Sequence, residues 1–231
     1  MGAPLLRGLS REERARVLKA AASRRLRSGE ALFHQDDPAN ALHLVLEGRI
    51  RLTQVTAEGR EVIVRLAGPG AVFAAIAVLE GTTYPFDATA TQASRLQSWE
   101  RGVLRELFRH IPRLEQNVTA IVASHSREML DRLRELSTEP VPQRLVRTLL
   151  RLAESDGRPQ AEGVLVDGIT RLELAELSGT TLFSVSRLLS EWQAQRLVQC
   201  GRGRVLIRDR RGLERLRRVP PGSAPRDPTA V

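Results

Sequence analysis

The sequence predicts an α+β protein with a strand-rich N-terminal half, one long central helix and a C-terminal winged helix-turn-helix. Three observations predict it. Between Gly29 and about Trp99, short apolar runs alternate with glycine turns. From Pro112 to about Thr138, apolar residues recur at helical spacing. Residues 170–192 then read as two short helices around a glycine, followed by an arginine-tipped hairpin.

Taken in order, residues 8–26 read as a helical lead-in capped by Ser10. The runs Ala31–His34, Leu42–Leu46, Ile50–Val55, Val62–Leu66, Val72–Leu79 and Phe86–Ala93 read as strands, punctuated by Gly48, Gly59, Gly68 and Gly70. Many short strands with such turns fit a small barrel, a sandwich or a jelly roll. Asp36 to Asn40 is a loop on composition. Arg101–His110 is helical. In the long helix Leu114, Val118, Ile121, Val122, Met129, Leu133 and Leu136 form a broad apolar stripe, which needs a partner surface. Self-pairing would bury it, with Val118, Ile121, Val122, His125, Met129, Leu133 and Leu136 along the seam. Packing against its own barrel is the alternative, and both can hold for different faces. Pro140 and Pro142 mark a break, because a residue before proline avoids the helical region.

Arg144–Glu154 is a further helix with Leu145, Thr148, Leu149 and Leu152 inward. Ser155 to Pro159 reads as a loop and Gly163–Gly168 as a strand. Thr170, with Glu173 three residues on, forms a capping box. Leu172, Leu174, Ala175 and Leu177 supply a buried face, and Gly179 ends the helix in a left-handed turn. Val185, Leu188, Leu189 and Trp192 make the inner stripe of the next helix. At about 100° per residue, Phe183, Arg187 and Ser190 face outward, flanked by Thr180 and Ser184. Small hydroxyls with one arginine suit contact with bases and phosphates, the role of the second helix of a helix-turn-helix. Arg196–Cys200 and Arg204–Arg208, joined by Gly201-Arg202-Gly203, read as a two-stranded wing. Arg211–Arg218 is a basic helix. The tail from Val219 reads as disordered on composition.

The chain has 231 residues and a formal net charge of +9. From residue 140 onward sixteen arginines face ten acids, so +6 of the excess lies in the C-terminal part. A basic chain favours nucleic acid or an anionic membrane. Lys19 is the only lysine, a bias that a GC-rich coding sequence also produces. Cys200 is the only cysteine, which excludes an intrachain disulfide and any multi-cysteine metal or iron–sulfur site. No secretory leader, membrane span or myristoylation motif is read, so a cytoplasmic setting is expected. No nucleophile–base pair, phosphate loop or zinc spacing is found, so neither catalytic nor metal-binding residues are expected. The paired Asp36 and Asp37 read as solvated loop charges.

Together these residues resemble the Crp/Fnr family of bacterial transcription regulators, over roughly residues 15–216. The anchors are Phe33-His34-Gln35-Asp36-Asp37-Pro38-Ala39, Leu44 to Arg49, the long helix, Arg144 to Leu150, and Leu174 to Arg187. The resemblance implies a β-roll sensor domain (residues 1–111), a dimerisation helix (112–139), a winged helix-turn-helix (140–218) and a tail (219–231). It implies a homodimer on a palindromic site in double-stranded DNA, with RNA polymerase as a partner if the protein is an activator. It also implies contacts to DNA by Thr170, Arg171, Thr180, Thr181, Phe183, Ser184, Ser186 and Arg187, and by Arg202 and Arg204 of the wing.

Two departures accompany the resemblance. Members that bind cyclic AMP carry a Gly-Glu-Leu core followed by an Arg-Ser pair. Here the corresponding pocket residues are Phe73, Ala74, Ala75 and Ile76, with Pro85 and Phe86 later. Without the Glu and the Arg, a conventional cyclic-nucleotide response is not expected. No cofactor is expected; haem, through His34, His43, His110 or His125, is the one candidate, with His125 the first to test. A haem- or nucleotide-sensing module with mainly allosteric output is the alternative function. In the recognition helix, Phe183 stands where the family carries Glu four residues before the arginine.

Overall fold

The computed structural model describes residues 3–59 and 61–218. The chain divides into two compact units, Met1–Arg132 and Leu133–Val231. The expected tail, 219–231, lies outside the described residues.

Unit 1 opens with a 3-10 turn, Pro4–Leu6, and helix α1, Arg11–Lys19. Ser10 caps α1: its hydroxyl accepts the Glu13 N–H while the Glu13 carboxylate accepts the Ser10 N–H, so two orphan donors are satisfied at once. The helix ends at Lys19. Residues 22–26, read as helix from sequence, form strand β1, Ala22–Leu26, paired with β8. Only Leu26 of that strand is buried, so period-two burial is invisible in its polar Ser-Arg-Arg run.

The other strands are β2 (Ala31–Phe33), β3 (Ala41–Glu47), β4 (Ile50–Val55), β5 (Glu61–Ala67), β6 (Val72–Phe73), β7 (Asp87–Ala90) and β8 (Ser94–Glu100). They form two antiparallel sheets, ordered β1-β8-β3-β6 and β2-β7-β4-β5. Leu42, Leu44, Leu96 and Trp99 of the first sheet share one buried core with Phe33, Ile50, Leu52 and Ala88 of the second. The Trp99 indole N–H donates to the Val17 carbonyl at 2.8 Å, anchoring α1. Gly48 turns β3 into β4 with φ of 84°; a Cβ there would lie 2.5 Å from the Ala93 carbonyl oxygen, so only glycine fits.

The expected strand Val72–Leu79 is corrected. It stops at Phe73, and helix α2, Ala75–Glu80, follows a left-handed Ala74. An unbroken apolar run does not distinguish strand from buried helix. Beneath it lies an aromatic cluster. The rings of Phe33 and Tyr84 stack with centroids 3.6 Å apart, and His43 packs against both Phe33 and Phe73. Burial, with Arg24 nearby, lowers the His43 pKa to about 3.

Helix α3, Arg101–His110, leads into α4, Pro112–Thr138. Leu114, Val118 and Ile121 of α4 are buried in the core of unit 1. Val118 and Ile121 therefore leave the expected self-pairing seam, because the barrel already covers them. Val122 is half-buried against the same core. Farther along, polar contacts hold α4 to strand β5. Arg65 on β5 meets the His125 ring nitrogen Nε2 and lies 4.0 Å from Glu128. Arg132 donates to the Val64 carbonyl at 2.6 Å, pairing a carbonyl of an edge strand.

Unit 2 contains α5 (Val141–Asp156), β9 (Arg158–Gln160), β10 (Gly163–Asp167), α6 (Arg171–Ser178), α7 (Leu182–Ala194), β11 (Val198–Gly201), β12 (Arg204–Ile207) and α8 (Arg210–Arg218). The expected two-stranded wing is the edge of a four-stranded sheet, ordered β11-β12-β10-β9. Part of the expected 155–159 loop is β9, whose three residues are all exposed and give no apolar signal. Leu145, Leu149, Leu174, Val185, Leu189, Trp192 and Leu213 are buried, as the amphipathic periods require. Leu172 is corrected: it is 55% exposed, and Glu173, turned back as a cap, is buried in its stead.

Burial and the neighbouring Arg65 lower the His125 pKa to about 4, from an ordinary 6.5. The unfolded chain therefore takes up the proton first as pH falls, so the stability held by neutral His125 is present above about pH 6.5 and lost toward pH 4. His43 acts in the same direction. Urea unfolding across this range should show stability declining below pH 6.5, and His125→Asn should make the decline shallower. An unchanged profile in the variant would assign the loss elsewhere.

Candidate nucleic-acid interface

The interface is built on α6 and α7. Thr170 caps α6, accepting the Glu173 N–H at 3.1 Å, and the Glu173 carboxylate accepts the Thr170 N–H at 2.8 Å. Gly179 ends α6 at φ 62°, and a Cβ on it would come 2.4 Å from Leu136. Thr181 caps α7, accepting the Ser184 N–H at 3.2 Å and donating to the Ser184 hydroxyl at 3.1 Å. Both helix starts are thus fixed by local chemistry.

Helix α7 turns Val185, Leu188, Leu189 and Trp192 inward. Its outer face carries Phe183, 78% exposed, and the exposed Arg187 and Ser190. Ser184 and Ser186 are half-buried on the flanks, and Thr180 is half-buried in the turn. The Arg187 guanidinium is paired with Glu191, one turn on, at 2.6 Å. That pair is readable as an i, i+4 spacing, but the sequence reading missed it.

The wing lies beside the start of α6. The Gly203 carbonyl accepts the Ile169 N–H at 3.0 Å, and the Cys200 N–H donates to the Gln193 side chain at 2.8 Å. Between them is a cleft of about 350 Å³ lined by Thr170, Arg171, Cys200, Arg202 and Arg204, floored by Leu174 and Leu189. Arg171, Arg202 and Arg204 are exposed. Three guanidiniums at one opening make an anion-attracting rim. Burial pushes the Cys200 thiol up, with Arg171 pulling it down, so it stays protonated at neutral pH.

The largest feature missed from sequence is Arg144. Its Nε donates to the Ser178 carbonyl at 2.9 Å, Nη2 to Gly179 at 2.8 Å and Nη1 to Glu139 at 2.7 Å. One side chain thus satisfies carbonyls at the C-terminal ends of both α4 and α6, groups that helix geometry leaves unpaired. Nearby, Arg147 binds Glu139 at 2.7 Å, and Arg151 meets both oxygens of the buried Glu135. No sequence rule assigns an arginine at a helix start to carbonyls 34 and 35 residues away.

In unit 1 the six pocket candidates do not share one surface. Phe73, Ala74 and Ala75 are core residues, Ile76 and Pro85 are exposed and Phe86 is half-buried. The inward-facing residue of that loop is Tyr84, whose hydroxyl exchanges 3.1 Å hydrogen bonds with the Ala41 backbone. His43 directs Nδ1 at Ser98, 2.8 Å away, and Nε2 at the Tyr84 hydroxyl. His34 pairs with Asp87 and His110 with Glu106. Among the described residues no group of three or more His, Cys, Asp or Glu gathers as a metal cage. None of their helices is long and apolar enough to cross a membrane.

Comparison with known proteins agrees with this architecture. Residues 23–110 match the model of the cyclic nucleotide-binding domain, and residues 143–216 that of the Crp-like helix-turn-helix domain. The Cyclic AMP receptor protein of Thermus thermophilus is 32% identical over 93% of this chain and 97% of its own length. The chain belongs to the Crp/Fnr family. The crystal structure of the Thermus thermophilus catabolite activator protein aligns with a TM-score of 0.55, at 32% identity, over 93% of this chain and 98% of that one. The fold also matches FixK2 of Bradyrhizobium japonicum, with a TM-score of 0.75 at 23% identity over 85% of this chain and 96% of that one. A DNA-binding transcription regulator of this family therefore presents the α7 surface and wing just described.

Arg144→Gln should lower the stability of unit 2 by roughly 1.5–3 kcal/mol, the range for hydrogen bonds to a charged group. Chemical denaturation followed by Trp192 fluorescence, in a Trp99→Phe background, measures it. A loss below a few tenths would show that water replaces the guanidinium at no cost.

Proposed function

We propose that this regulator acts as a homodimer on a palindromic DNA site, with two α7 helices in successive major grooves ~34 Å apart. The observation that carries the reading is the outer face of α7. An exposed aromatic ring and one exposed arginine stand among small hydroxyls, beside an arginine-rimmed wing. Arg187 donates to a guanine edge, and Phe183 packs on a thymine methyl where the family's Glu would accept from cytosine. Thr170, Arg171, Thr180, Thr181, Ser184 and Ser186 contribute phosphate or base-edge contacts, and Arg202 and Arg204 hold phosphate and set register.

The dimer seam is the face of α4 left uncovered by the barrel. Met129, Leu133 and Leu136 are 64%, 63% and 49% exposed, an apolar stripe that a second copy covers. Val122 and His125 border it. The β-roll transmits a signal other than cyclic AMP bound in the conventional way, since neither Phe73–Ile76 nor Tyr84–Phe86 contains the ribose-binding acid or the phosphate-binding arginine that the family's cassette uses. No resident cofactor is part of this reading. An iron would first have to displace Ser98 and Tyr84 from His43, or Arg65 from His125. The setting is the cytoplasm, and RNA polymerase is the further partner if the bound dimer activates.

Selection from random duplexes, followed by titration of variants, tests the reading. Arg187→Ala should cost about 1–3 kcal/mol of preference at one base pair in each half-site. Arg204→Ala should weaken all sequences alike and reduce the salt slope by about 1. A selected motif that requires cytosine opposite Phe183, or binding by single protomers without half-site symmetry, would overturn it.

A further inference from the structure

We infer that Glu191 is the residue that sets the base selectivity of Arg187, by holding its guanidinium in one orientation and by opposing sequence-independent attraction. The inference rests on the proposed role of Arg187 and deepens it. The Glu191 carboxylate takes Nη1 of Arg187 at 2.6 Å. Among the described residues Glu191 is the one partner of that guanidinium. The Nε–Nη2 edge is thus left as a two-donor fork, the arrangement that matches O6 and N7 of guanine. The residues flanking Arg187 on the outer face are Ser184 and Ser190, too short to fix a long side chain. Among the described residues, Glu191 is the charged group that pairs with it.

The position of Glu191 argues that helix stability is not its purpose. It lies in the last turn of α7, where the macrodipole disfavours a carboxylate. An arginine four residues before a glutamate is also the weaker order for an intrahelical pair. Both side chains are about half exposed, so the pair adds little to folding. Glu191 is nevertheless the only acid of α7, in a part of the chain where arginines outnumber acids. A carboxylate facing the groove is repelled by phosphates of every sequence equally. It lowers non-specific affinity and gives up its share of that penalty only when guanine completes the Arg187 contact. Attraction to one base combined with repulsion from all others is how specificity is raised without raising affinity.

The test uses the full chain and three duplexes: the selected site, the same site with the guanine of the Arg187 pair replaced, and an unrelated sequence. Parent, Glu191→Gln, Glu191→Ala, Arg187→Ala and the Arg187→Ala/Glu191→Gln double variant are titrated, with thermal unfolding confirming that each folds. The parent should prefer guanine by about 5–150-fold. Glu191→Gln should cut that preference several-fold while raising affinity for the unrelated duplex about threefold to tenfold. In the Arg187→Ala background the same change should leave preference unaltered, since the side chain it orients is gone. Preference retained in Glu191→Gln but lost in Arg187→Ala would overturn the role of Glu191 and leave that of Arg187 standing. Preference retained in Arg187→Ala would overturn the reading of Arg187 itself, and this inference with it.

Discussion

The guanidinium of Arg144 serves two helix ends at once, and the geometry of the α6–α7 turn depends on it. Helices α4 and α6 each finish with carbonyls that have no partner of their own. Arg144, at the start of α5, takes Glu139 from one and Ser178 and Gly179 from the other. The turn that launches α7 is therefore fixed to the end of α4 by three charge-assisted bonds. Leu136 presses on Gly179 from the same side. A shift of the α4 terminus has a direct mechanical route to the turn, and through Thr181 to the orientation of Phe183 and Arg187.

In unit 1 the forces are of a different kind. Its core is filled by aromatic and aliphatic packing around Phe33, Phe73, Tyr84 and Trp99, and His43 is kept neutral among the rings. A cluster of charged and polar contacts lies where α4 crosses β5, at Arg65, His125, Glu128 and Arg132. Apolar contacts with the core anchor the first half of the helix through Leu114, Val118 and Ile121, and the second half carries its apolar residues outward. One stripe is thus divided: Leu114, Val118 and Ile121 are buried in the core, while Met129, Leu133 and Leu136 stay exposed.

The sequence made the sheets, the long helix and the helix-turn-helix legible, because each has a clear burial period. Ser10 and Thr170 were readable as caps, since a hydroxyl followed three residues later by Glu is a local signal. What escaped the sequence was non-local or patternless. Strands β1 and β9 are nearly all exposed, so no alternation marks them. Helix α2 hid inside an apolar run that suits strand and helix equally. The division of the α4 stripe depended on which turns the barrel reaches, and spacing alone does not carry that. At the interface the outward placement of Phe183 and Arg187 followed from helical angle. The Arg187–Glu191 pair was open to reading as an i, i+4 spacing and was overlooked; the Arg144 contacts and the inward Tyr84 needed coordinates, because side-chain direction and tertiary distance decide them.

Amide hydrogen exchange of the full chain, read residue by residue in the parent and in Arg144→Gln, tests the central claim most directly. The account predicts protection at the α6–α7 turn and the first turn of α7 falling further than the general decrease that the lower stability brings to the rest of unit 2, with specific DNA affinity reduced in parallel. Unchanged protection there, or full DNA affinity despite a mobile turn, would contradict it.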